Sequence, residues 1–213
     1  MRIRNVKNKE EILKNSKYLI DNPKEYKGSW NKLFGNNNPI YIEIGMGKGK
    51  FIRENAIKYK NINFIGIERQ DSILAKSLQK LDDDINNLLI VRMNALIIDE
   101  VFSKEIDRIY LNFSDPWPKV RHHFRRLTSN IFLDKYDGIF KSVKEIYLRT
   151  DNSDLFTYSL ETLSNHDYYL RDISLNLHED TEEELITTEY EDKFSEKNMP
   201  IYSLVASNKK CLK

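Results

Sequence analysis

Short apolar, β-branched runs recur at 40–44, 63–68, 88–93, 106–113 and 145–150, each about the length of a buried strand. The stretches between them change period. Within 50–59, Phe51, Ile52, Ala56 and Tyr59 fall on one helical face, and within 72–81 Ile73, Leu74, Leu78 and Leu81 do the same. A helical pattern over 128–140 follows the fourth run, and another over 154–165 follows the fifth. Strand and helix therefore alternate, which predicts a parallel sheet with helices on both faces. Two further runs, 168–177 and 201–206, extend the expectation to an α/β fold with a doubly wound, mostly parallel, seven-stranded sheet.

Composition narrows the picture. The length of 213 residues suits a single domain, 1–213, with a basic N-terminal extension over about 1–30. Hydrophobic residues at 40% and aromatics at 11% are enough for a folded core. Lys and Arg number 34 against 33 Asp and Glu, a net charge of +1, so a polyanionic partner has to meet a local patch. The one cysteine, Cys211, forms neither an intramolecular disulfide nor a cysteine-based zinc cluster. Residues 1–17 carry six Lys and Arg but no apolar stretch of the kind a signal peptide needs. No run approaches the roughly 18 apolar residues of a membrane span. A cytoplasmic protein without a membrane partner is expected. The segment 179–192 holds eight carboxylates and no Lys or Arg, and reads as a solvated loop or helix face.

Only seven glycines occur in the chain, yet Gly45, Gly47 and Gly49 fall within five positions directly after the first run. A strand-to-helix turn rich in glycine is where α/β sheets bind nucleotides. A dinucleotide fingerprint starting at Gly45 needs glycine at position 50, as does a P-loop, and the chain has Lys50 there. Both are disfavoured. What remains is an acidic turn, Glu43-Ile44-Gly45-Met46-Gly47-Lys48-Gly49. The next run ends in Glu68, 19 positions after Gly49, where a carboxylate suits ribose hydroxyls. This turn resembles that of the class I S-adenosylmethionine (SAM) methyltransferases.

The fourth run leads into Asn112-Phe113-Ser114-Asp115-Pro116-Trp117-Pro118-Lys119, which spends two of the chain's five prolines and one of its two tryptophans. Residues before proline are pushed out of helix, so Asp115 and Trp117 are presented stiffly at the carboxyl end of a central strand. A carboxylate held beside an indole suits a base-binding pocket. Directly downstream, Lys119-Val120-Arg121-His122-His123-Phe124-Arg125-Arg126 contains four permanent positive charges and no acid, which points to phosphate. His122 and His123 lack a third ligand at suitable spacing, and no metal site is expected.

The sequence 113–119 with Arg121-His122, Arg125-Arg126 and Thr150-Asp151-Asn152 resembles the bacterial tRNA (guanine-N7)-methyltransferases. Tyr26-Lys27-Gly28 with Trp30, Phe34-Gly35-Asn36 with Asn38-Pro39-Ile40, the segment 175–178, and Thr188-Glu189-Tyr190-Glu191 with Lys193-Phe194 are similar to the same family. The resemblance implies methyl transfer from SAM to N7 of a guanosine in the tRNA variable loop, by a class I fold with seven strands and no metal; monomer and homodimer both stay open. It places Glu43, Gly45, Gly47, Glu68, Asn94 and Asp115 around the cofactor, with Asp115 also catalytic. It assigns Lys119, Asp151, Thr188, Glu189, Tyr190 and Glu191 to the substrate, and Arg121, His122, His123, Phe124, Arg125 and Arg126 to RNA. Asn94 stands where the family usually has Asp, Val120 where a second Lys is common, and Arg149 where Lys is frequent.

Guanine offers N1–H and an exocyclic amine as donors, which would account for acids such as Asp151 and Glu191 beside a polyanion. Two other readings stay open. One is a nucleic-acid amino-methylating enzyme, whose Asp-Pro-Pro-Tyr loop differs here by Trp117; the other is an RNA-binding protein with a weak or inactive SAM site, the reading that Asn94 favours. A nicotinamide dehydrogenase is opposed by Lys50.

Overall fold

The computed structural model describes residues 6–81, 84–181, 184–195 and 199–208. Arg2, Arg4, Glu182, Glu183 and Cys211, drawn on above, lie outside them. The chain runs α1 (Lys9–Asn15), β1 (Leu19–Ile20), α2 (Trp30–Phe34), β2 (Ile40–Ile44), α3 (Lys50–Lys58), β3 (Asn63–Glu68), α4 (Asp71–Leu78) and β4 (Leu88–Arg92). It continues through α5 (Ile98–Val101), β5 (Arg108–Asn112), α6 (Asn130–Ile139), β6 (Glu145–Thr150), α7 (Ser153–Asn165), β7 (Tyr169–Ser174), α8 (Leu177–Asp180), α9 (Glu189–Ser195) and β8 (Tyr202–Ser207).

The strands form one sheet in the order β1-β4-β3-β2-β5-β6-β8-β7. Pairings are parallel except those of β8, which runs antiparallel between β6 and β7. The seven runs expected from the sequence supply seven of these strands. The eighth, β1, corrects that number: two residues pair with Ile90 and Val91 at the edge of the sheet, too short a segment to carry a readable period. Residues 6–30, expected as an extension, thus add an edge strand and a helix.

Apolar faces explain the layering. Leu13 of α1, Phe51, Ile52 and Ala56 of α3, and Leu74 and Leu78 of α4 cluster with the sheet residues Phe64, Leu88 and Ile90. On the opposite face Ile98 and Val101 of α5, Phe132, Leu133, Tyr136 and Ile139 of α6, and Phe156 and Leu163 of α7 pack on Ile42, Ile65, Ile109 and Leu148. Strand β3, covered on both sides, is buried at all six positions, as a central parallel strand should be. Strand β6 instead alternates, burying Ile146, Leu148 and Thr150 while Glu145, Tyr147 and Arg149 are half-buried. Beside it the Arg108 guanidinium lies 4.4 Å from the ring centres of both Tyr41 and Tyr147 and pairs with Glu145 at 2.6 Å.

Trp30 is fully buried. Its indole Nε1 donates to the Val101 carbonyl at 3.0 Å, and its ring meets Phe102 at 5.1 Å. It ties α2 to α5. The chain leaves β2 for β3 and β4 on one side and later fills β5 and β6 on the other. The β2/β5 crevice is therefore the topological switch point, where ligands of such sheets bind beyond the carboxyl strand ends.

Candidate active site

Every candidate residue of the glycine turn and the strand ends lies at that edge. Glu43 is the fourth residue of β2, Glu68 ends β3, and Asn94, Asp115 and Asp151 follow β4, β5 and β6. The turn after β2 is tied down by Gly45 N and Met46 N, which both donate to the Ile67 carbonyl, at 2.8 and 3.0 Å. Gly45 and Gly47 have φ of 80° and 58°, and open space lies where their Cβ atoms would stand. Side chains there would fill a cradle left to backbone. Gly49, which precedes α3, has a different reason: a Cβ would meet Ser77 Oγ of α4 at 2.5 Å, so the hydroxyl would have to shift to admit one.

Glu43 is buried and its Oε1 accepts from Asn112 Nδ2 at 2.9 Å. Among the described residues its Oε2 and the Asn112 Oδ1 have no hydrogen-bond partner. Burial pushes the Glu43 carboxyl up to about 8, against the Asn112 hydrogen bond and the Arg149 charge. Below that value the carboxyl carries its own proton; once ionised in this buried place it calls for a cationic donor. Glu68 Oε1 accepts from the amides of Arg69 and Gln70, at 2.8 and 2.9 Å, which fixes its carboxylate at the strand end. Exposed Asn94 accepts from Leu96 N at 3.0 Å and caps the turn that follows β4.

The loop after β5 is strained. Phe113 and Trp117, on either side of exposed Asp115, have φ of 49° and 43°, a left-handed conformation that bulky side chains seldom adopt. Phe113 N donates to Arg149 O at 2.8 Å, and its ring packs 5.0 Å from Tyr190. The basic run forms a 3-10 turn over Val120–Arg125. Lys119, Arg121, Phe124 and Arg125 are exposed. Arg125 stacks over Trp117 at 4.9 Å, His122 meets the same indole edge-on at 5.9 Å, and His123 meets Tyr158 at 5.4 Å.

The segment 186–192 straps across the start of α3. Lys50 Nζ donates to Thr187 Oγ1 at 2.7 Å and pairs with Asp192 at 2.6 Å; Lys80 pairs with Glu189 at 2.9 Å. Arg149 Nη1 donates to Ile186 O at 2.8 Å. Tyr190 OH donates to Asp151 Oδ2 at 3.0 Å, and burial together with that bond pushes the phenol up to about 12.

A family model described as "Putative methyltransferase" matches residues 37–204. The tRNA (guanine-N(7)-)-methyltransferase of Lachnoclostridium phytofermentans is 46% identical over 99% of this chain and 100% of its own length. That of Geobacillus sp. is 49% identical over 95% of this chain and 93% of its own. The chain belongs to the tRNA (guanine-N(7)-)-methyltransferase family. Among solved structures, "Structure of an Antibiotic Related Methyltransferase" superposes with a TM-score of 0.63 at 20% identity, covering 88% of this chain and 94% of that one. "Crystal Structure of 16S rRNA Methyltranferase KamB" does so with 0.61 at 11%, covering 84% and 92%. Both share the methyltransferase fold.

Two residues of this family member sit otherwise than its sequence suggested. Arg126, expected on RNA, is only 2% exposed and donates Nε to the Pro116 carbonyl at 2.8 Å. A run of cations reads as a solvated face, but the 3-10 turn delivers its last member inward. Glu191, expected at the substrate, is 0% exposed. Its Oε2 accepts from Thr188 N at 3.2 Å while Thr188 Oγ1 accepts from Glu191 N at 3.0 Å, a capping box at the head of α9. Arg149 and His178 approach the same carboxylate, at 3.4 and 3.2 Å. The Thr188-x-x-Glu191 spacing was the available signal. Nor is the acidic run wholly solvated, since Glu189, Glu191 and Asp192 answer Lys80, Arg149 and Lys50. Lys50 and Lys80 are the residues that sequence reasoning missed.

Proposed function

We propose that this chain transfers a methyl group from SAM to N7 of a guanosine in tRNA, the base lying in the variable loop, and that Asp115 is its catalytic residue. The observation that carries the reading is the partnerless carboxylate oxygen of buried Glu43 at the same sheet edge as the strained Asp115 loop and its flanking cations.

The residues suit the cofactor. Glu43 Oε2 and Asn112 Oδ1 would accept from its ammonium, the open turn at Gly45 and Gly47 would admit its chain against backbone, Glu68 would take ribose hydroxyls, and Asn94 the adenine edge. When bound, SAM supplies an electrophilic methyl group on a sulfonium.

Guanine N7 already carries an in-plane lone pair, so the protein need not remove a proton from it; alignment and exclusion of water are what it contributes. Asp115, presented between two left-handed residues, orients the base and offsets the positive charge that grows on the purine as N7 is alkylated. Asp151, held by Tyr190, stands at the neighbouring strand end to accept a guanine N–H. Lys119, Arg121 and Arg125 present exposed charge to phosphates, with Phe124 and Trp117 as stacking surfaces. Thr188, Glu189 and Tyr190 wall the site through the strap. Among the described residues no helix is long and apolar enough to cross a membrane. A tRNA substrate puts the proposed reaction in the cytoplasm.

Incubation with SAM and an unmodified tRNA transcript, followed by nucleoside digestion and mass spectrometry, tests the reading. 7-Methylguanosine is expected from the wild type and not from Asp115→Ala. Methyl on an exocyclic amine, or full turnover by Asp115→Ala, would refute it.

A further inference from the structure

Arg126 differs in kind from the cations that precede it. Lys119, Arg121 and Arg125 are exposed, whereas Arg126 is buried, with Nε on Pro116 O at 2.8 Å and its guanidinium 4.5 Å from the centre of the Tyr158 ring on α7. Pro116 directly follows Asp115, so the one carbonyl that Arg126 grips is bonded to the peptide carrying the carboxylate. The backbone of Arg126 is itself fixed: its N–H donates to His123 O at 3.0 Å, its carbonyl accepts from Ser129 N at 2.9 Å, and Ser129 Oγ donates to Phe124 O at 2.9 Å. Phe113 and Trp117 hold φ values that nothing local favours, and such a conformation persists only when its surroundings over-determine it. On the entry side the Phe113 amide and ring supply that constraint; on the exit side the direct hold on the loop backbone is Arg126.

We propose that Arg126 is a positioning residue for methyl transfer and not a phosphate contact: it latches the Asp115 loop to α7 and so presents the carboxylate in one orientation. The assignment rests on the reading of that loop as the guanine site. Lysine would not replace it, because a single ammonium cannot bond the carbonyl and lay a planar face on the phenol ring at once.

The test uses the full chain with Arg126→Lys, Arg126→Gln and, for contrast, Arg125→Ala. Turnover at saturating SAM and tRNA should fall by about tenfold to a hundredfold in both Arg126 variants, the scale of a misplaced catalytic group. Their tRNA affinity should stay within about twofold of wild type, with the same dependence on salt, whereas Arg125→Ala should lose affinity and a unit-scale part of the salt slope. Acrylamide quenching supplies a readout independent of turnover. Trp30 is fully buried, so accessible quenching reports Trp117, and it should rise when the latch is cut. Unchanged turnover, or a reduced salt slope in either Arg126 variant, overturns the proposal. If the wild type makes no 7-methylguanosine, the functional reading fails, while quenching and salt slope still decide whether Arg126 holds the loop or meets RNA. Should neither Arg126 variant fold, Tyr158→Leu removes the stacking surface, along with its edge contact to His123, and is held to the same three outcomes beside His123→Ala as the control for that contact.

Discussion

Replacing Glu43 with glutamine separates the cost of the cofactor site from its use. In the folded chain burial raises the Glu43 carboxyl from its ordinary 4.5 to about 8. Between those values the unfolded chain is ionised and the folded one holds a proton, so folding takes up a proton and stability falls as pH rises. The slope is about 1.4 kcal/mol per pH unit, on the order of 5 kcal/mol across the interval, and it levels off above about 8. Glu43→Gln abolishes that slope. It also leaves an amide N–H where Oε2 had no partner, a roughly constant cost of about 1–3 kcal/mol. The variant should therefore start less stable than wild type near pH 5 and gain on it steadily toward pH 8. At about 2–4 °C per kcal/mol, the difference in thermal midpoint should move by roughly 3–6 °C per pH unit. Differential scanning fluorimetry of both proteins without ligand, in matched buffers from pH 5 to 9, measures it. Calorimetric titration with SAM supplies the other half: wild-type affinity should rise toward pH 8 as Glu43 ionises, and the variant should bind weakly throughout. A midpoint difference that is flat with pH would refute the reasoning, since it would mean that Glu43 is already ionised inside the fold.

Trp30→Ala should cost about 3–5 kcal/mol in urea unfolding, because it empties a fully buried site and orphans the Val101 carbonyl. Gly49→Ala should destabilise by about 1–2 kcal/mol through its φ of 79° and the clash with Ser77, and adding Ser77→Ala should recover only the clash, which a double-mutant cycle in thermal unfolding would show. Arg121→Ala should lower the slope of log affinity for tRNA against log salt by about 0.7–0.9, as filter binding over a KCl series would reveal, with little change in turnover at saturation.

The parts of this fold that were legible in the sequence share a cause. Strands β2 to β5 are largely buried by helices, so their residues read as apolar runs, β6 shows the alternation of a strand buried on one face, and the glycine turn stood out against a chain poor in glycine. Leu19–Ile20 escaped notice because two residues have no period. Contacts between Lys50 and the strap join positions 137 and 142 residues apart, and no local pattern encodes such a meeting. Arg126 and Glu191 were misplaced for a related reason. Charge predicts exposure only until a partner is found, and the partners, a proline carbonyl and an amide of its own capping box, are invisible in residue type alone. The Asp115 loop was readable as stiff from its prolines, yet its strain lies at Phe113 and Trp117, whose φ values no composition announces.

The place of β8 has a consequence for how the chain is made. It is the last strand in sequence among the described residues, but it lies inside the sheet, giving β6 and β7 their shared partner. A nascent chain that has emerged only to residue 200 therefore carries β6 with a bare edge and β7 with no neighbour at all, an arrangement prone to pairing with other chains. The strap over α3 is already synthesised by then but hangs from an unfinished sheet. The β6-β8-β7 side of the sheet closes only when β8 threads between two strands made before it, so a ribosome that stalls before the codons of β8 would leave a sticky edge and not a finished sheet.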